Sequence, residues 1–324
     1  MGEVASERAP FVWSGRDDGD GPEHRRFWQT VSTPAPSRPA DAALLGFASD
    51  EGVRRNGGRV GSAQGPSALR AALANLAVHE ELTVADHGDI VVESPETGIA
   101  DLEAGQRRFG EAITAAREHA PLTVGLGGGH EIAYGSHLGL GRRPGLGVLN
   151  LDAHFDLRAA PRGSGPAVST SGTPFRQIAR DRLAAGLPFT YAVVGIARPS
   201  NTAALFETAT TLGVRWLPDD LCQARDSALR FVEAFVAEVD EVYLSIDLDV
   251  LPGADAPGVS APAALGVPPF VIQSVCDAVV DSGKLIHVDV AELNPRLDID
   301  ERTARLAARL IHRIITREAA RGRS

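Results

Sequence analysis

Apolar runs of five to seven residues recur along the chain, and helix-patterned stretches separate most of them. The runs at 42–47, 122–126, 147–151, 189–195, 242–246 and 285–290 read as buried strands. Residues 82–86 and 90–92 read as two further short strands. A helix is predicted at about 66–76, opened by Pro66, and another at 101–119. A last helix at about 300–318 places Leu306, Leu310, Ile311, Ile314 and Ile315 on one face. Near-continuous apolar strands alternating with helices predict an α/β fold whose parallel sheet is covered on both faces. Residues 1–40 are polar and Pro-rich and read as an N-terminal arm with a short helix near 23–31. Residues 41–324 read as one domain, with no internal repeat or linker.

Three of these runs end in chemistry. Gly127-Gly128-Gly129-His130, Asp152-Ala153-His154-Phe155-Asp156 and Asp247-Leu248-Asp249 each follow a strand-like run, and Glu292 follows a fourth. Ligand sites in parallel sheets lie at the carboxyl ends of the strands. Side chains at i, i+2 and i+4 of an extended segment share a side, so Asp152, His154 and Asp156 are expected to converge, as are Asp247 and Asp249. Burying such carboxylates unpaired costs several kcal/mol each, so cations are required. Six ligands exceed the needs of one tetrahedral ion; two ions with a water or hydroxide between them fit better. Oxygen-rich ligation without thiolate favours Mn²⁺ over Zn²⁺. Any one cluster alone is more often a solvated turn; the weight comes from three of them at three strand ends.

Composition narrows the partners. Among 324 residues, 44% hydrophobic and 23% charged is ordinary for a soluble globular chain. A net charge of -10 without a basic run argues against nucleic acid and leaves a small molecule as the expected partner. Cys222 and Cys276 cannot form a disulfide framework, so reduced thiols in a cytoplasmic chain are expected. The first residues lack an apolar leader, and no apolar stretch is long enough to predict a membrane span.

Competing motifs fail on particular residues. Gly125-Leu126-Gly127-Gly128-Gly129-His130 approaches a dinucleotide fingerprint, but its sixth position is His where Gly or Ala is needed. There is no Walker A sequence, and His130 and His137 lack zinc-protease spacing. Ser62 and Ser164 lack the strand-to-helix setting of a nucleophile elbow. His287, inside a strand-like run, reads as a hydrogen-bonded core histidine.

The metal clusters resemble those of the ureohydrolase (arginase/agmatinase) family. The residues that carry the likeness are Gly-Gly-Gly-His-Glu at 127–131, Asp-Ala-His-Phe-Asp at 152–156, Ser-Ile-Asp-Leu-Asp-Val-Leu at 245–251 and Glu-Leu-Asn-Pro at 292–295. The resemblance implies a three-layer α/β/α arginase-like fold with a mostly parallel eight-stranded sheet. It implies a pair of Mn²⁺ ions per subunit: His130 and Asp156 on one, His154 and Asp249 on the other, Asp152 and Asp247 bridging. It also implies a homo-oligomer. The loops at 50–56, 156–158, 170–175, 198–202 and 256–262, with Trp-x-Gly-Arg-x-Asp at 13–18, are similar to those of members that hydrolyse N-formimidoyl-L-glutamate to L-glutamate and formamide in histidine degradation. Arginases and agmatinases carry a His before a Gly after the second metal motif; here Ser171 precedes Gly172.

By that likeness Asp156 is expected to carry a proton to the leaving amine, and Glu292 to pair with the cationic formimidoyl nitrogen. The two substrate carboxylates would need donors. Arg158, two residues past the metal motif, is the first candidate. Arg54, Arg59, Asn201 and Ser171 follow, and Arg55, Arg176 and Arg198 lie in comparable loops. The alternatives are an agmatinase-like or guanidino-acid ureohydrolase that releases urea, and a non-catalytic metal-binding protein.

Overall fold

The computed structural model describes residues 11–35, 39–92, 100–160 and 168–323. The strands are β1 (Val31–Ser32), β2 (Ala42–Ala48), β3 (Val84–Val91), β4 (Leu122–Gly127), β5 (Leu146–Leu151), β6 (Thr190–Ile196), β7 (Arg215–Pro218), β8 (Glu241–Asp247) and β9 (Leu285–Ala291). They form one parallel sheet in the order β1-β3-β2-β4-β9-β8-β5-β6-β7. The helices are α1 (Glu51–Arg55), α2 (Gly65–Ala74), α3 (Leu102–Ala116), α4 (Ile132–Leu140), α5 (Pro174–Ala184), α6 (Ala203–Thr211), α7 (Arg225–Ala237), α8 (Pro269–Asp281) and α9 (Arg302–Gly322).

Alternation along each strand feeds two cores. On one face Leu44, Val124, Leu244 and Val288 meet Leu69, Phe235, Val275 and Ile311 from α2, α7, α8 and α9. On the other, Phe47 packs with Phe109 and Ile113 of α3, and Tyr191 with Phe175 and Ile178 of α5. Burying such side chains contributes about 1.5–3 kcal/mol each, which is why the sheet stays covered on both faces. The result is the expected α/β/α sandwich.

Three details differ from the sequence expectation. Among the described residues the sheet has nine strands, not eight, because two-residue β1 adds an edge and four-residue β7 closes the other side. The two strands predicted at 82–92 are one strand, β3, with its register shift near Gly88 at φ 74°. The helix predicted near 23–31 is two 3₁₀ turns, Pro22–His24 and Phe27–Thr30. Its backbone is used elsewhere: Phe27 N donates to Leu76 O at 2.8 Å and Val78 N to Arg25 O at 3.0 Å. No helix among the described residues is long and apolar enough to cross a membrane.

The strand order places the chemistry. β4, β9, β8 and β5 are neighbours at the centre of the sheet although far apart in sequence. These are the four strands that end in His130, Glu292, Asp247 and Asp152.

Candidate metal centre

Each functional side chain is set by a local backbone device. After β4, Gly128 N donates to Phe47 O at 2.8 Å and Gly129 N to Ser49 O at 2.9 Å. A Cβ on Gly128 would lie 1.8 Å from Ser49 O, so only glycine allows this passage. After β5 the chain is not extended as the i, i+2, i+4 argument supposed. It bends at 153–154, and Asp156 turns back at φ 49°. The convergence is therefore real but reached by a bend. After β8, Asp247 Oδ1 accepts the Asp249 N–H at 2.8 Å and starts a 3₁₀ turn. After β9, Glu292 adopts φ 70° and donates its N–H to Gly128 O at 2.8 Å. Left-handed non-glycine residues cost about 1–3 kcal/mol and concentrate at functional sites.

Two donor groups result. His130, Asp152, Asp156 and Asp247 offer atoms mutually within 4.8 Å, and so do Asp152, His154 and Asp249. His130 Nδ1 lies 3.2 Å from Asp152 Oδ2, 3.0 Å from Asp156 Oδ2 and 3.1 Å from Asp247 Oδ2. His154 Nδ1 lies 3.0 Å from Asp249 Oδ2 and 3.5 Å from Asp152 Oδ1. Asp152 thus shares its two oxygens between the groups. Asp247 faces His130 through Oδ2, while its Oδ1 is held by the Asp249 amide.

The electrostatics call for cations. Burial and the neighbouring Asp152 charge push the Asp156 carboxyl up to about 6. Burial, Asp249 and Asp152 push Asp247 well above the usual carboxylate range. Burial also raises Asp249. Burial opposes protonation of His130, yet the three carboxylates around Nδ1 raise it well above the ordinary imidazole value. Burial works against the Asp152 charge too, but His130 and His154 hold its carboxyl low. His130 Nδ1 is buried and makes no hydrogen bond, facing carboxylate oxygens alone. A lone pair aimed into a ring of buried oxygens is what a hard divalent ion accepts, so the donor set fits a metal pair.

Glu292 sits just behind. Its Oε1 accepts the His130 N–H at 2.8 Å, and burial with the nearby Glu131 pushes its carboxyl up to about 8. Glu131 had no assigned role in the sequence reading. It is buried, and Oε1 accepts from Ser49 Oγ and Gly52 N, each at 2.9 Å, pinning α1 beside the site.

The candidate rim residues separate. Arg158 is exposed and lines a cleft of about 380 Å³ with Asn56, Thr170, Arg176, Thr202 and Thr208. Among the described residues neither Arg158 nor Arg176 forms an ion pair. Ser171 is buried and its Oγ accepts from Asn56 Nδ2 at 3.2 Å. Arg54 is held by Glu51 through two bonds of 2.7 and 2.6 Å. Arg55 bonds Glu51 and Glu103. Arg59 is spent on Ser260 O and Val259 O at 2.9 and 2.8 Å. Arg198 lies over the Phe206 ring. Asn201 turns inward: Nδ2 donates to Ala153 O and Ala197 O, and Oδ1 accepts from Phe155 N at 3.1 Å. It braces the His154 bend rather than lining the cleft.

Sequence reasoning also passed over Ser245 and Asp289, which stand behind His130. The available signal was a hydroxyl and a carboxylate inside otherwise apolar strands, β8 and β9.

Known proteins share this architecture. A family model described as Arginase family matches residues 40–316. A formimidoylglutamase of Nocardia farcinica is 57% identical, over 94% of this chain and 96% of its own length. One of Rhodococcus jostii is 52% identical, over 95% and 96%. The formiminoglutamase of Trypanosoma cruzi solved with Mn²⁺₂ superposes with a TM-score of 0.76 at 26% identity, covering 86% of this chain and 94% of that one.

Proposed function

The chain belongs to the arginase family, as a hydrolase of amidine C–N bonds, and we propose that its substrate is N-formimidoyl-L-glutamate, cleaved to L-glutamate and formamide. The observation that carries this choice is two arginines without an ion-pair partner, Arg158 and Arg176, on a cleft whose lining includes Leu157, next in sequence to Asp156. Two exposed cations suit a dianionic glutamate end and repel cationic agmatine. The likeness to formimidoylglutamases over most of the chain supports the same reading.

His130 and Asp156 would hold one Mn²⁺, His154 and Asp249 the other, with Asp152 and Asp247 between them. Such ions, when bound, lower the pKa of a shared water so that hydroxide is available at neutral pH. The chain's own residues do the rest. Glu292, with one oxygen fixed by the His130 N–H, would face the cationic formimidoyl nitrogen, whose charge favours the carboxylate that burial and Glu131 disfavour, and would orient the carbon for attack. As hydroxide adds to that carbon, Asp156 takes the hydroxyl proton on a carboxylate oxygen, and the oxygen left behind becomes the formamide carbonyl. It returns the proton to the glutamate nitrogen as the C–N bond breaks, so glutamate leaves as a neutral amine. Arg158 and Arg176 hold the two carboxylates through charge-assisted bonds.

The test is a product assay with added Mn²⁺. Formamide should be released from N-formimidoyl-L-glutamate, with little urea from arginine, agmatine or guanidinobutyrate. Urea from a guanidino compound, without formamide, would reverse the assignment. Replacing Asp249 by Ala should lower bound Mn²⁺ in elemental analysis; undiminished metal with full activity would sink the two-ion reading.

A further inference from the structure

A second cleft lies at the opposite pole of the sheet from the metal centre. α4 starts just past the carboxyl end of β4 and finishes at Leu140, shortly before β5 begins; α5 finishes at Ala184, shortly before β6. The last turns of these two helices border a cleft of about 410 Å³, within the ~300–1,000 Å³ of small-molecule sites. His137, Arg142, Asp181 and Arg182 supply its polar lining. None of the chemistry above uses them.

Arg182 is the unusual member. It is 2% exposed, and among the described residues no carboxylate pairs with it. Its Nε donates to Pro188 O at 2.7 Å and its Nη2 to Arg143 O at 3.0 Å, while Nη1 is buried and makes no hydrogen bond. A buried guanidinium without a counter-charge is costly, and two backbone carbonyls do not cancel its charge. Asp181, its neighbour in sequence, is already taken: Oδ1 accepts from Arg180 Nε at 3.0 Å and Oδ2 from Tyr134 OH. His137 repeats the pattern. It is 8% exposed, its Nδ1 is buried without a partner, and its ring stacks on Tyr134. Burial and Arg182 hold the His137 pKa down at about 4, so near neutral pH its imidazole offers an N–H and no charge. Arg142 is exposed on the same cleft and forms no ion pair among the described residues.

We infer that this cleft is a binding site for an oxyanion of the phosphate class, held by Arg182, Arg142 and His137. The donors decide the class. A planar carboxylate is held best by two parallel bonds from one guanidinium fork. Arg182 has committed Nε and Nη2, so one nitrogen remains. Single donors from three residues suit a tetrahedral group whose oxygens point in different directions. The volume takes a phosphomonoester as well as inorganic phosphate. Such an occupant supplies the counter-charge that Arg182 lacks and ties α4 to α5 without touching the metal centre.

The experiment is calorimetric titration of inorganic phosphate into the Mn²⁺-loaded full chain, freed of unbound metal. Glycerol phosphate and acetate serve as parallel probes at equal ionic strength. Saturable binding of one phosphate or phosphomonoester per chain is expected, with acetate weaker by about 10-fold or more. The tighter of the two phosphates identifies the source. Arg142→Ala, at an exposed position, should weaken phosphate by about 10- to 100-fold, the worth of one charged hydrogen bond. Arg182→Met should abolish binding; if thermal unfolding shows that this variant does not fold, Arg142→Ala decides alone. Absence of saturable phosphate binding would overturn the inference. So would acetate binding as tightly as phosphate. Phosphate affinity unchanged in Arg142→Ala would also overturn it, because the anion then sits at the metal centre or elsewhere.

Discussion

The metal centre, or floor, and the arginine-lined cleft that follows it in sequence, or rim, are built on opposite terms. On the floor His130, Asp152, Asp247 and Asp249 are at most 4% exposed, and backbone amides and neighbouring strands fix most of their oxygens. On the rim Arg158 and Arg176 are exposed and, among the described residues, form no ion pair; Arg176 Nη1 donates only to Leu157 O at 3.3 Å. The floor stands at the ends of four adjacent central strands; on the rim Arg158 stands on the connection after β5 and Arg176 in the first turn of α5. On the proposed function, reaction type would be carried by the rigid layer and substrate choice by the rim, which can change without disturbing it.

The largest expected effect tests the floor. Asp156→Asn removes the proton carrier while keeping the side-chain shape. Its kcat should fall by about 10²- to 10⁴-fold. Steady-state kinetics at saturating Mn²⁺ checks this, and a kcat within a fewfold of wild type would remove Asp156 from proton transfer.

The next asks whether any buried charge would do the same. Arg70 is fully buried away from the metal centre, with bonds of 2.8 Å to each Asp86 oxygen and 2.5 Å to Asp89. Arg70→Ala leaves two carboxylates uncompensated and should cost about 3–5 kcal/mol in urea unfolding. Mn²⁺ stoichiometry in the folded fraction should not change. A selective loss of metal would mean that the floor is not a separate unit.

Arg70 also shows where the sequence stopped being legible. The run Asp86-His87-Gly88-Asp89 looks like a turn, and so β3 was divided in two. It is a strand because Arg70, sixteen residues earlier, neutralises it across the sheet, with Trp13 Nε1 adding a bond to Asp86 at 2.7 Å. A tertiary partner overrode local pattern. The same holds for β1, whose two residues carry no periodicity at all. The metal clusters were legible for the opposite reason. A carboxylate after a buried apolar run has few structural explanations, so residue type and position sufficed. Arginines in loops have many explanations. Arg54 and Arg59 resemble Arg158 in sequence, yet Glu51 and the 259–260 backbone already occupy them.

That distinction makes the rim prediction quantitative. Arg158→Ala should raise KM by about 10- to 100-fold, the worth of a charged hydrogen bond, with a much smaller change in kcat. Arg59→Ala should leave KM near the wild-type value, because its guanidinium is spent within the protein. Equal KM effects from both would erase the rim as described.

Asn201 is the boundary case and the smallest expected effect. By sequence it belongs with the rim; in the structure its amide is used by Ala153, Ala197 and Phe155. Those bonds hold the bend that presents His154 and Asp156. Asn201→Ala leaves buried backbone groups unsatisfied and should cost about 1–3 kcal/mol of stability. Its kinetic signature should follow the floor, with lower kcat and KM little changed. If KM instead rises as for Arg158→Ala while stability holds, Asn201 faces substrate, and the line between floor and rim must be redrawn through the 197–202 loop.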